Sequence, residues 1–349
     1  MINVELLKQI CETPGTSGFE HRIRKLILEE VRPLVDEVSV DPMGNVIALK
    51  KGKENKKVMI AAHMDEIGFI VTNVDDDGFV RFHTLGGFDP KTLTSQRVII
   101  HGKEDVMGVL GCKPIHLMKA EERTKVVPIQ DYFIDTGMEP EAVRRLVNIG
   151  DPITRERQLV EMGECVNSKS LDNRVSVFIL LETMRLLKDK EVPYDTYAVF
   201  TVQEEVGLRG AISSSRHINP DFGICLDVTI AFDVPGAQPH EMVSRLGKGA
   251  AIKVMDGGTI CDYRMVAFLK QTATEQEIPW QTEVLPGRGS TDTAALQRYG
   301  KNGAIAGAIS IPLRHMHQTI EMAHKGDVRH CIDLLEAGLA KLDTYDWSH

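Results

Sequence analysis

Apolar residues recur at helical spacing over the first thirty positions of this chain, and strand-like runs follow them. Residues 17–20, Ser-Gly-Phe-Glu, have the form of a capping box and predict the start of a second helix. Apolar segments at 38–40 and 46–49 flank a Pro-Met-Gly-Asn turn, which is typical of a β-hairpin. The continuous apolar run at 58–62 indicates a strand buried on both faces.

Between residues 69 and 163 the pattern changes to short alternating strands separated by closely spaced turns. Glycine-containing turns are predicted at 75–78, 85–87 and 101–103. One helix is predicted in this region, around 139–147. Such a pattern predicts a small β-barrel inserted into a larger domain.

From residue 168 onward, helices and apolar strands alternate, which predicts a sheet covered by helices on both faces. Helices are predicted at 174–187, 263–276, 293–299 and 328–342, and strands at 196–202, 223–226 and 304–311. The length of 349 residues also favours two domains. We therefore expect one α/β domain, residues 1–68 and 164–349, interrupted by a β domain at 69–163.

The composition excludes several classes of protein. A net charge of −9 argues against a nucleic-acid surface, which would need a basic excess. No apolar run approaches the roughly 20 residues of a membrane helix, and no secretory signal opens the chain. The six cysteines are scattered without a Cys-x-x-Cys pair, which is typical of free thiols in a reducing compartment. A cytoplasmic protein without membrane contact is expected.

Acidic and histidine residues recur where the predicted strands end, which is where open α/β sheets bind ligands. His63 and Asp65 follow a buried strand and, with a period of two, point the same way. An aspartate this close can orient the ring of a metal-binding histidine. Asp172 precedes a predicted helix, where a helix-capping carboxylate is the alternative interpretation.

Two adjacent carboxylates, Glu204 and Glu205, end the strand predicted at 196–202. At that position they destabilise the fold unless they are paired, bound to metal or solvated. Because neighbouring residues on an extended chain diverge, one could bind an ion while the other takes a proton from water.

A further carboxylate, Asp227, follows the next apolar strand, and His315 and His317 follow the last one. A turn aspartate and a structural histidine pair are the alternatives. Together the strand ends carry imidazole and carboxylate groups without thiolate, a set that suits zinc, cobalt or manganese. This many acidic groups favour two divalent ions over one.

Four segments resemble the tetrahedral aminopeptidases, a family that includes glutamyl, leucyl and lysyl aminopeptidases and relatives sometimes labelled cellulases. They are His-Met-Asp-Glu-Ile-Gly-Phe from His63, Asp-Asn-Arg from Asp172, Gln-Glu-Glu-Val-Gly-Leu-Arg-Gly from Gln203, and Arg-His-Met-His from Arg314. The resemblance covers nearly the whole chain in order. It implies a zinc-exopeptidase-like fold, a mixed sheet between helices with an inserted β-barrel used for dimerisation, and a hollow assembly of about twelve subunits.

The resemblance also implies an aminopeptidase that releases N-terminal residues from peptides with a free N-terminus by two-metal-assisted attack of water. The two implied ligand sets share Asp172: His63, Asp172 and Asp227 for one ion, and Asp172, Glu205 and His317 for the other. Glu204 would be the general base, and Asp65 would orient His63.

Two positions depart from the family pattern. Gly-Ser-Thr-Asp at 289–292 stands where relatives usually have Gly-Gly-Thr-Asp, which predicts a differently shaped loop on the substrate side. His315 stands where relatives usually have tyrosine, which makes it a competitor of His317 as the ligand.

Other enzyme classes remain as alternatives. A carboxypeptidase or an acyl-amino-acid deacylase could use the same metal frame. A glycosidase is disfavoured, because adjacent Glu204 and Glu205 do not keep the roughly 5–9.5 Å separation that glycoside hydrolysis needs. Arg209, Arg288 and residues 256–258 are candidates for the first substrate pocket. The sequence selects no preferred N-terminal residue, no native metal and, apart from the resemblance, no oligomer size.

Overall fold

The computed structural model describes residues 1–287 and 289–349, and its strands form one large sheet and one closed barrel. The α-helices are α1 Val4–Glu12, α2 His21–Val31, α3 Pro140–Leu146, α4 Leu171–Leu187, α5 Arg209–Ile218, α6 Tyr263–Glu275, α7 Asp292–Tyr299 and α8 Lys325–Lys341. The strands are β1 Glu37–Val40, β2 Val46–Lys50, β3 Glu54–His63, β4 Gly68–Val74, β5 Val80–Leu85, β6 Arg97–His101, β7 Asp105–Gly111, β8 Phe133–Asp135, β9 Pro152–Arg155, β10 Val160–Met162, β11 Cys165–Ser168, β12 Tyr194–Thr201, β13 Phe222–Ile230, β14 Ala250–Met255, β15 Trp280–Val284, β16 Ile305–Arg314 and β17 Glu321–His324.

The large sheet is mixed, with the order β1-β2-β12-β3-β13-β16-β17-β11-β10, and β14 joins β15 to β16. Its four central strands, β12, β3, β13 and β16, are parallel to one another. The outer pairs are antiparallel, among them β1 with β2 and β16 with β17. Because the four central strands run in one direction, their carboxyl ends meet at one edge of the sheet, where α/β proteins bind ligands.

Strand β3 shows why the sheet has helices on both faces. Val58 and Ile60 pack into the larger core together with residues of α1, α4 and α8. Met59 and Ala61, on the opposite face of the strand, pack with residues of α5 and α7. A strand buried on both faces requires an apolar side chain at every position, which is the pattern seen at residues 58–62. The predicted α/β sheet between helices is confirmed.

The closed barrel has the strand order β4-β5-β8-β7-β6-β9 with antiparallel pairing. Inward-facing side chains fill it, including Phe69, Val98 and Ile153, all fully buried. The last barrel strand ends at Arg155, and β10 pairs with β11 in the large sheet. The barrel strands therefore span residues 68–155, and the insert of residues 69–163 stays a prediction. In the described parts of the chain, no helix is long and apolar enough to cross a membrane.

The predicted capping box at residues 17–20 is wrong. Helix α2 begins at His21 without a side-chain cap. The Ser17 hydroxyl instead donates to Asp65 Oδ2 at 2.6 Å. Glu20 Oε1 accepts the backbone N–H of Gly18 at 2.7 Å and that of Gln203 at 3.2 Å. Ser17 and Glu20 therefore bond to groups at the carboxyl edge of the sheet and do not form a capping box.

A buried arginine joins helix α4 to the connection between α1 and α2. Arg174 Nη1 donates to the carbonyl oxygens of Ile10 and Thr13, both at 2.7 Å, and Nη2 donates to that of Gly15 at 3.3 Å. Nη2 also lies 3.5 Å from Glu66 Oε1, and both side chains are fully buried. A planar guanidinium can satisfy several carbonyl groups at once in a way that an ammonium cannot.

We expect Arg174→Lys to lower the free energy of unfolding by about 3 kcal/mol, because buried carbonyl groups lose their donors. Urea denaturation followed by circular dichroism measures the change. Arg185→Lys is the matched control, since Arg185 lies on the same helix with a side chain that is 44% exposed. Equal stability of the two variants would contradict a stabilising role for Arg174.

Candidate active site

A cavity of about 410 Å³ opens at the carboxyl edge of the central strands. Six of the catalytic and metal-binding candidates line it: His63, Asp172, Glu204, Glu205, Asp227 and His317. Five of them come from the ends of β3, β12 and β16, or just after these ends, and from the first turn of α4. Asp227 lies within β13, which continues to Ile230, so the prediction that Asp227 follows the end of its strand is wrong. The parallel arrangement of these strands thus brings together residues that are far apart in the chain.

The imidazole of His63 contacts Asp65 on one side and faces two carboxylates of the cavity on the other. Its Nδ1 is 3.1 Å from the carbonyl oxygen of Asp65 and 3.3 Å from Asp65 Oδ1. Its Nε2 faces the cavity, 3.3 Å from Asp172 Oδ1 and 3.8 Å from Asp227 Oδ1. When Nδ1 carries the proton, the ring donates to Asp65, and the lone pair on Nε2 is free to bind an ion.

His317 lies on the other side of Asp172. Its Nε2 is 3.1 Å from Asp172 Oδ2 and 3.5 Å from Glu205 Oε1. Its Nδ1 lies 3.1 Å from the carbonyl oxygen of Gly87, in the segment that follows barrel strand β5. The two oxygens of Asp172 therefore face two different histidines. The carboxylate does not cap α4, because the helix has no side-chain cap and both Asp172 oxygens face the histidines.

Of the remaining candidates, one lines the cavity and the other described ones do not. His315 is exposed and lines a separate groove with Lys91 and Arg157. Arg209 donates to Gln203 Oε1 at 3.2 Å and does not line the cavity. Asp256 does line it, whereas Arg288 falls outside the described residues.

The carboxyl groups in the cavity are crowded and lie away from solvent. Burial raises the pKa of Glu205 to about 8 and that of Asp227 to about 7, and the charge of Asp172 adds to both shifts. Burial, together with the charges of Asp227 and Glu205, also raises the pKa of Glu204 well above its usual value. For Asp172 burial acts in the same direction, but hydrogen bonds from His317 and His63 lower its pKa overall. Such a cluster favours occupation by cations, which would offset the repulsion among the acids.

The same groups have the arrangement of metal ligands. Within the described residues, three sets of donor atoms lie within 4.8 Å of one another. The sets are His63 with Asp172 and Asp227, His63 with Glu204 and Glu205, and Asp172 with Glu205 and His317. Glu205 Oε1 is buried without a hydrogen-bond partner, so it is available as a ligand. Imidazole and carboxylate donors without thiolate fit zinc, cobalt or manganese.

Two supporting contacts were not predicted from the sequence. Glu321 is fully buried, and its Oε2 accepts the backbone N–H of Asp172 at 2.9 Å while its Oε1 accepts that of His317 at 3.1 Å. The Asp65 carboxylate accepts the backbone N–H groups of Glu204 and Glu205 at 3.0 and 3.2 Å. The sequence carries no signal for Glu321, because nothing in its spacing indicates which backbone groups it meets.

The arrangement at the strand ends agrees with comparisons to known proteins. Residues 44–334 match the model of the M42 glutamyl aminopeptidase family. The chain belongs to this family. The resemblance to the tetrahedral aminopeptidases, predicted from the four sequence segments, is confirmed.

Relatives of this M42 chain align over nearly their whole length. It is 36% identical, over an alignment 359 positions long, to the lysyl aminopeptidase of Pyrococcus furiosus, and the alignment covers 100% of both chains. A TET aminopeptidase from a marine sediment archaeon of the Thaumarchaeota has a TM-score of 0.94 and 35% identity, with 97% of this chain and 96% of that one covered. The TET1 peptidase of Pyrococcus horikoshii, which can assemble into a tetrahedron or a large octahedral shell, has a TM-score of 0.86 and 32% identity, with 96% and 98% covered.

We expect Glu321→Gln to weaken metal binding by about 10- to 100-fold, because an amide can accept from only one of the two N–H groups and would present a donor to the other. Competition with a chromophoric chelator measures the affinity. Glu164→Gln, at an exposed glutamate just before the strand that pairs with β17, is the control. Affinities that agree within twofold would show that Glu321 does not position the ligands.

Proposed function

We propose that this protein is an aminopeptidase that uses two divalent metal ions per subunit, zinc, cobalt or manganese, to release N-terminal residues from peptides. The observation that carries the proposal is the carboxylate of Asp172, whose two oxygens face His63 and His317 across one cavity. Membership of the M42 family supports aminopeptidase activity.

The proposed ligand sets share Asp172 as the bridging carboxylate. His63 and Asp227 complete one set, and Glu205 and His317 complete the other, with the donor atoms of each set within 4.8 Å of one another. When bound, such ions supply Lewis-acid polarisation of a peptide carbonyl and lower the pKa of water.

Glu204 is the proposed general base. It belongs to neither of the two sets that share Asp172, yet its Oε2 lies in the same cavity, 3.9 Å from His63 Nε2. A carboxylate in this place can take the proton of the attacking water and return it to the departing amine. Asp65 is proposed as a positioning residue, since it contacts the His63 ring and accepts the backbone N–H groups of both glutamates.

The charge of the cavity favours a substrate with a free amine over one with a free carboxylate. Carboxypeptidases and acyl-amino-acid deacylases must bind the carboxylate of the substrate, which calls for an unpaired cation. Among the described residues that line the cavity, Lys253 is the one lysine or arginine, and it is already paired with Asp256 at 3.0 Å. The acidic wall instead suits the positive N-terminus of a peptide.

The barrel is proposed as a separate domain, within residues 69–163, that forms subunit contacts. Several large apolar side chains are exposed on its strands and connections, namely Met107, Val109, Ile115 and Leu117. Exposed apolar side chains that form a contiguous patch are typical of contact surfaces. A homo-oligomer of the tetrahedral, twelve-subunit kind is the proposed assembly, supported by the assembly of the Pyrococcus horikoshii relative.

The test is hydrolysis of a panel of aminoacyl-p-nitroanilides after chelation and after return of zinc, cobalt or manganese. We expect activity to disappear with EDTA, to return with metal, and to be absent for N-acetylated substrates. Preference for the acetylated substrates would support the deacylase alternative and refute our proposal.

We expect Glu204→Gln to lower kcat by at least about 100-fold, because the base is lost, while metal content stays near that of the wild type. Asp172→Asn is the contrasting variant and is expected to lose both ions. Steady-state kinetics and elemental analysis of the purified proteins separate the two effects. Substantial turnover by Glu204→Gln would remove this residue as the base, and two ions retained by Asp172→Asn would refute the bridging role.

A further inference from the structure

The loop that carries the proposed base is held by acceptors from distant parts of the chain. Strand β12 ends three residues before Glu204. The backbone N–H groups of Glu204 and Glu205 donate to Asp65, which follows β3. The N–H of Gln203 donates instead to Glu20 Oε1, at 3.2 Å. Three consecutive N–H groups of this loop are therefore bound by two carboxylates.

Gln203 has a backbone conformation that is strained for a residue with a side chain. Its φ is +54°, in the left-handed region. Such a conformation persists where surrounding contacts maintain it. The carbonyl oxygen of Gln203 accepts the N–H of Arg209 at 3.2 Å, and Glu20 binds the N–H at the other end of the residue. Because Gln203 immediately precedes Glu204, its dihedral angles determine the direction that the chain takes into Glu204.

Glu20 is a buried carboxylate that depends on backbone partners. In the described part of the chain, no lysine, arginine or histidine forms an ion pair with it. Burial and the charge of Asp65 raise its pKa to about 7. Its Oε1 accepts the N–H of Gly18 at 2.7 Å in addition to that of Gln203. Backbone N–H groups are therefore its stabilising partners, and one of them belongs to the loop that carries Glu204.

We propose that Glu20 is a positioning residue for Glu204 and acts through Gln203. The Glu20 oxygen binds the N–H of Gln203 and maintains the left-handed turn that directs the Glu204 carboxylate into the cavity. This inference rests on the proposed role of Glu204 as general base. A general base must lie within hydrogen-bond reach of the attacking water, so a small displacement of Glu204 slows the chemical step.

Glu20 and Asp65 are expected to affect different steps. Asp65 contacts His63 and the backbone of Glu205, and both are proposed metal ligands. Glu20 meets the loop at Gln203, two residues before the nearest of these ligands. Loss of the Glu20 acceptor is therefore expected to lower kcat while KM and metal affinity change little.

The test compares Glu20→Leu with Glu20→Gln in the metal-loaded protein, with an aminoacyl-p-nitroanilide that the wild type hydrolyses. Leucine removes the acceptor, whereas glutamine keeps an oxygen in the same place without the charge. We expect Glu20→Leu to lower kcat by at least about tenfold, with KM and metal affinity within about twofold of the wild type. Glu20→Gln is expected to keep at least about half of the wild-type kcat. Glu29→Leu, at an exposed glutamate on α2, is the control and keeps the wild-type kcat.

Two results would overturn the inference. One is a wild-type kcat in Glu20→Leu, and the other is a loss of kcat that only follows the loss of bound metal or of folded protein. If Glu20→Leu does not fold, Glu20→Asp takes its place, because the shorter side chain keeps the charge and withdraws the acceptor. Its kcat is then expected below that of Glu20→Gln, and the reverse order would refute the role of the acceptor.

Gln203→Gly tests the route through the loop. Glycine adopts a positive φ without strain, so a glycine at this position depends less on the Glu20 acceptor. We expect Gln203→Gly to raise the kcat of the Glu20→Leu protein by at least about threefold. No recovery refutes the route through Gln203. A wild type that hydrolyses no aminoacyl-p-nitroanilide with any of the metals refutes the proposed function itself, whereas an active wild type with an unaffected Glu20→Leu variant refutes the positioning role alone.

Discussion

Mutual repulsion among buried carboxylates is the constraint on which the site depends. Asp172, Glu204, Glu205 and Asp227 share one cavity away from solvent, where their charges interact strongly. Two histidines offset part of this repulsion, and Asp227 also accepts the backbone N–H of Val228 at 2.8 Å. Divalent cations bound among the carboxylates would offset the repulsion that remains.

The supporting structure is built in layers around these acids. Parallel strands deliver the acids and histidines to one edge of the sheet, and Asp65 and Glu321 then fix the backbone that carries them. Behind Asp65 lies a second buried set of charges, in which Lys169 contacts Glu66 at 2.7 Å. These buried charges and hydrogen bonds satisfy polar groups that would otherwise destabilise the site.

Much of the architecture was predictable because it follows local periodicity. The apolar run of β3 and the alternating strands of the barrel are properties of short segments, and so are the polar residues at strand ends. Glu321 and the partners of Ser17 were not predictable, since they depend on residues far away in the chain. The local signal at Ser17 even pointed to the wrong partner, because tertiary hydrogen bonds outweighed a helix cap. The ion pair between Lys253 and Glu283 is likewise visible only when β14 and β15 are placed side by side.

The first forty residues show how a catalytic centre can extend beyond the segment that defines a family. The family match begins at residue 44, yet Ser17 donates to the carboxylate beside His63, and Glu20 accepts the N–H of Gln203. A shortened chain beginning at residue 44 would keep every proposed ligand and lose these two contacts. It would also leave the guanidinium of Arg174 without its carbonyl acceptors on Ile10, Thr13 and Gly15. The connection between helices α1 and α2 therefore helps to hold the proposed ligands in position.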